Sequence, residues 1–81
     1  QEKRIAVSGV PQNFRALGQA GIVSLGKTAE CFFEEEEFNK VKQHLENAKS
    51  RGNTVSIEGK VMGFNENPNR LMLRQCEVLS E

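Results

Sequence analysis

The sequence predicts an all-β domain with one helix: a five-stranded Greek-key barrel of the OB type over residues 1–81, with an α-helix between the third and fourth strands. Three observations predict it. Short stretches of alternating polarity recur between clusters of Gly, Pro and Asn. A single stretch, residues 35–50, carries apolar residues at helical spacing instead. That stretch falls after three strand-like segments and before two more.

The first strand is Arg4-Ile5-Ala6-Val7-Ser8-Gly9-Val10, loosely alternating and closed by Pro11. Residues 11–21 hold glycines and several amides and read as a long loop. Ile22-Val23-Ser24-Leu25 is the second strand, and Gly26-Lys27 turns it into a third, Thr28 to Glu34, as a hairpin. In the helix, Phe38, Val41, Leu45 and Ala48 share one face. Glu34 to Glu37 sit where carboxylates meet the positive end of the helix dipole, and Lys49 and Arg51 sit at the negative end. Glu36 and Lys40 make an i,i+4 pair worth about 0.2–0.5 kcal/mol, and Gly52 is placed to end the helix with φ > 0.

Residues 54–61 alternate strictly, with Val55, Ile57, Gly59 and Val61 on one side, and the strand runs on towards Phe64. Gly59 in mid-strand marks a bend or bulge. Asn65-Glu66-Asn67-Pro68-Asn69 is a turn, and Arg70 to Leu79 is the last strand. Leu71 and Leu73 face inward there, but Cys76 and Val78 fall out of phase, so a bulge near Arg74-Gln75 is needed to bury both pairs. Five strands with a helix after the third is the element order of the OB-fold. A ferredoxin-like sandwich needs a second helix, and an SH3-like barrel does not carry a four-turn helix at that point.

Composition bounds the chemistry. A chain of 81 residues buries only about 60% of its unfolded surface. It has 11 basic and 11 acidic residues, no Trp, no Tyr, no Asp and one His. A Ser-His-Asp triad is excluded and paired carboxylates would have to be Glu alone, which argues against an enzyme. No stretch approaches the roughly 18 apolar residues of a membrane span. The zero net charge conceals a slight N-terminal surplus: residues 1–33 hold four cations against two carboxylates. The chain opens on Gln1 rather than Met, which implies a processed or trimmed product with any signal peptide or lipid anchor upstream.

Four segments carry a family resemblance: Ile5-Ala6-Val7-Ser8-Gly9; Ala29-Glu30-Cys31-Phe32-Phe33; Gly52 through Val61; and Leu71-Met72-Leu73-Arg74-Gln75-Cys76. Together they resemble the tRNA-anticodon-binding-like OB-fold domains of small bacterial proteins and lipoproteins, most of them uncharacterised. The resemblance covers nearly the whole chain, in order, and its motifs mark strands and turns. It implies the fold more than an activity, and an exported or membrane-anchored protein rather than a cytoplasmic one. Nucleic-acid-binding OB-folds generally present a basic face with stacking aromatics, whereas this chain is neutral and has Glu30 facing outward on the third strand.

OB surfaces bind ligands on the second and third strands and the flanking loops. Here those loops supply Phe14 and Arg15, and Phe64 and Arg70, with Phe32, Lys60 and Arg74 on outward faces nearby. Single-stranded DNA or RNA needs aromatic faces for stacking and cations along its backbone. Phe14, Phe32 and Phe64 are candidates for the first role, and Arg15, Lys60, Arg70 and Arg74 for the second. Alternatively the phenylalanines plug the barrel ends, the cations only solvate it, and the domain binds a protein or small ligand at a cell envelope. Cys31 and Cys76 fall on strands that neighbour each other in OB order. They are either a disulfide, worth about 4 kcal/mol through loop closure, or two buried thiols; the exported character of the family favours the disulfide. They lack the CxxC spacing of a redox pair. His44 reads as structural, because two Cys and one His leave a zinc site a ligand short. The four-Glu run reads as dipole compensation rather than a calcium site, and no cofactor is expected.

Overall fold

A computed structural model describes residues 3–27, 29–66 and 69–79. The chain forms strands β1 (Arg4–Gly9), β2 (Pro11–Leu17), β3 (Ala20–Leu25) and β4 (Ala29–Phe33), then helix α1 (Glu35–Arg51), then strands β5 (Val55–Glu66) and β6 (Asn69–Val78). All six strands belong to one sheet in the order β1-β5-β6-β4-β3-β2. Neighbours are antiparallel except β4 and β6, which run parallel.

The described residues form six strands where the sequence predicts five, and the added one is Pro11–Leu17, which the sequence predicts as loop. Its residues are mostly exposed, so no alternation of apolar side chains announces it. Pro11 fits because a proline at a strand's first residue leaves the ladder intact. Gly18, with φ 63, then reverses the chain into β3. The predicted turn at Asn67-Pro68 and the predicted strand start at Thr28 lie outside the described residues.

β1 and β2 stand at opposite ends of the strand order, yet Val10 alone separates them in sequence. Gly9 pairs with Val55 of β5, and Pro11 pairs with Leu25 of β3. The Gly26 N–H donates to the Val10 carbonyl at 3.0 Å. One residue therefore carries the chain from one edge of the sheet to the other.

The core lies between the sheet and α1. Leu25, Phe33, Ile57 and Leu73 are fully buried from the strands, and Phe38, Leu45 and Ala48 meet them from the helix. The Phe38 ring lies on Gly21 so closely that a Cβ there would come within 2.4 Å of it. Phe33 is its tilted neighbour at 6.5 Å. The helix ends on Gly52 at φ 69, whose N–H reaches the last turn's carbonyls. The bulge demanded by Cys76 and Val78 is present: Gln75 has φ 50, and the β5–β6 register slips between Glu58 and Lys60. This extra residue turns Cys76 inward. Among the described residues no helix is long and apolar enough to cross a membrane.

Candidate functional site

Strand alternation builds one outward face from β3, β4 and β6. On β4, Ala29, Cys31 and Phe33 are buried, which leaves Glu30 and Phe32 on the other side. Ile22 pairs with Phe32 and Ser24 with Glu30, so β3 presents these two to the same face. Glu30 pairs with Met72 of β6. By the two-residue period Arg70 and Arg74 join Met72 there. Arg15 of β2 pairs with Ile22 at one end of this strip, and Lys60 of β5 pairs with Arg74 at the other.

The central feature is a charge pair. Arg70 Nη1 lies 2.8 Å from Glu30 Oε2 and 3.5 Å from Ser24 Oγ. Both side chains are roughly three-quarters buried, with 22% and 24% of their surface exposed. Arg70 Nε is buried without a partner. The pair floors a cleft of about 450 Å³ bordered by Asn13, Phe14, Arg15, Ile22 and Ser24. Beyond it, Phe32, Met62, Arg74, Glu34 and Gln75 line a smaller cleft of about 240 Å³. At the far end Arg4, cross-strand from Lys60, is tied to Glu58 at 3.0 Å and Glu77 at 3.6 Å.

The structure therefore gathers Arg15, Arg70, Phe32, Arg74 and Lys60 along one face. Phe14 borders the larger cleft, but it pairs with Val23, packs against the core and has Lys49 Nζ 5.6 Å from its ring centroid. Phe64 is 61% exposed. It pairs with Leu71, which packs against the core, and so it points away from the Arg70 side of the hairpin. Sequence reasoning missed Ile22, Ser24, Met62 and Met72 as parts of the face. Alternation alone flags Ser24, since it faces opposite to Val23 and Leu25, but the bulge between Val61 and Gly63 hides Met62.

Cys31 and Cys76 are both free, buried thiols in this structure. A side-chain hydrogen bond with Cys76, then burial, then the nearby charges of Cys76 and Glu30 hold the Cys31 pKa far above the usual thiol range. Such a thiol stays protonated and is a poor nucleophile. His44 lines a separate cleft at the end of α1 with Arg51, Asn53 and Thr54, and its Nε2 is buried without a partner. Among the described residues no three His, Cys, Asp or Glu side chains come together as a metal site. No family model, curated protein or solved structure matches this chain.

Proposed function

We propose that this chain is a non-catalytic OB-type binding module whose β3-β4-β6 face takes single-stranded nucleic acid. The fold half of the reading is supported by the strand order. If β1, Val10 and β2 are counted as one bent strand, six strands reduce to five in the order 1-2-3-5-4, with the first strand flanking both ends. The helix then follows the third strand, as in an OB barrel. The observation that carries the ligand is the strip itself, where Ile22, Phe32 and Met72 interleave with Arg15, Arg74 and Lys60 around the Glu30–Arg70 pair. Apolar and aromatic surface for bases, flanked by cations for the backbone, is what a single strand requires.

The test is fluorescence anisotropy with labelled single-stranded DNA and RNA at about 50 and 200 mM salt. Two or three phosphate contacts, from Arg15, Lys60 and Arg74, weaken binding about tenfold across that range. Phe32→Ala removes one stacking platform and loses at least about fivefold in affinity. Absence of binding at the lower salt refutes the nucleic-acid reading. A protein or small ligand at an envelope would then take its place, a reading favoured by the exposed Met62 and Phe64 and by the balanced charge.

A further inference from the structure

Resting on that reading, we propose that the Glu30–Arg70 pair selects guanine by reading its Watson–Crick edge within the bound strand. The pair is a poor phosphate clamp. Arg70 has its charge matched by a carboxylate 2.8 Å away, and an incoming phosphate would meet Glu30 as well as the guanidinium. Phosphate contacts and base contacts are separate tasks, and the exposed Arg15 and the more distant Lys60 are better placed for the first.

Glu30 and Arg70 instead offer a fixed order of hydrogen-bonding groups. The Arg70 guanidinium is a multiple donor, Glu30 Oε2 against its Nη1 is an acceptor, and Glu30 Oε1 is the carboxylate's second acceptor. Donor, acceptor, acceptor is the complement of an edge that reads acceptor, donor, donor. Guanine presents that order, as O6, N1–H and the N2 amino group. Adenine puts the N1 lone pair against the carboxylate, and cytosine and uracil each present two acceptors to the three positions. Single-stranded bases are read on this edge because nothing else pairs with it.

The surroundings suit a planar base. The cleft of about 450 Å³ exceeds the volume of one base, and Ile22 forms an apolar wall beside the pair. Phe32 is cross-strand from Ile22 and two residues beyond Glu30 on the same face, so it can stack the neighbouring base. Ser24, cross-strand from Glu30 and only 7% exposed, braces Arg70 from below. The pair is thus held in place before a ligand arrives.

The experiment uses four labelled RNA nonamers: all uridine, and the same strand with a central guanosine, inosine or adenosine. Wild-type protein and Glu30→Gln are each titrated at about 50 mM salt. One correctly read base is worth about 5- to 100-fold in affinity. The central guanosine is expected to tighten wild-type binding at least fivefold over all-uridine. Inosine, which lacks the N2 amino group, should fall between guanosine and adenosine. Glu30→Gln should bind all-uridine RNA at least as tightly as wild type while losing the guanosine advantage. Equal affinity for all four strands overturns the inference and leaves the nucleic-acid reading standing. Glu30→Gln tightening every strand equally, with the guanosine advantage intact, also overturns it, because the carboxylate then only screens Arg70. No binding to any strand overturns both readings. Circular dichroism establishes that the variant is folded, and the inosine comparison on wild type decides the matter if it is not.

Discussion

Replacing Gly59 by alanine tests how tightly the β5–β6 bulge is packed. Gly59 has no positive φ, so alanine fits its backbone and the variant tests space alone. A Cβ at that position would lie 2.8 Å from Cys76 Sγ, 3.0 Å from Leu73 Cβ and 3.1 Å from the Arg74 carbonyl oxygen. Two of those neighbours cannot swing away: one is backbone, and Leu73 is fully buried. Forcing a methyl group into a packed core costs about 1–3 kcal/mol, and three simultaneous contacts argue for the upper half of that range. Alanine also restricts the unfolded chain, which returns about 0.4–1 kcal/mol. The net loss is about 1.5–2 kcal/mol. For a domain this small that lowers Tm by about 10 °C and the urea midpoint by 1 M or more at an m-value of about 1–1.5 kcal/mol/M. Far-UV circular dichroism is the readout, since the chain has neither Trp nor Tyr. Adding Cys76→Ala removes the sulfur and relieves the shortest contact, so the double variant should lose about 1 kcal/mol less than the sum of the singles. A Gly59→Ala protein within about 0.5 kcal/mol of wild type, or single effects that add to within that margin, would refute this account of the bulge.

Two further stability predictions follow from the core. Leu45 is the fully buried helix residue that seats α1 on the sheet, and Leu45→Ala should cost about 2–5 kcal/mol by urea denaturation. A loss under 1 kcal/mol would mean that the helix contributes little to the core. The raised Cys31 pKa makes stability depend on alkaline pH. A thiol that keeps its proton only in the folded state contributes fully below the unfolded pKa of about 8.5, and that contribution is lost as pH climbs above it. Unfolding free energy should drop by about 1 kcal/mol between pH 8.5 and 9.5, and Cys31→Ala should flatten the slope. Native Cys31 should also resist iodoacetamide at neutral pH until urea exposes it; rapid alkylation of the folded protein would contradict its burial.

How far the fold is legible depends on whether a residue's environment is set locally. The helix is local in every respect: its apolar face, its acidic start, its basic end and Gly52 all lie within one stretch, and α1 occupies Glu35–Arg51. The bulge near Gln75 was legible too, because Leu71, Leu73, Cys76 and Val78 cannot all face inward on one regular strand. β2 was not legible. An edge strand with mostly exposed side chains leaves no apolar alternation behind, and its pairing with β3 is decided by backbone groups common to every residue.

The candidate face shows the same division. Composition and patterning by themselves pointed to a β-rich chain with one amphipathic helix, balanced charge, candidate cations Arg15 and Arg70 at the loops, and Lys60 and Arg74 on outward faces. The tertiary structure alone decided which of these meet. Glu30 and Arg70 are 40 residues apart in sequence, and only the parallel pairing of β4 with β6 brings them to 2.8 Å. The same pairing registers turn Phe64 away from that face and seat Phe14 against the core, because on a sheet a side chain's neighbours follow from register and parity rather than from its own type.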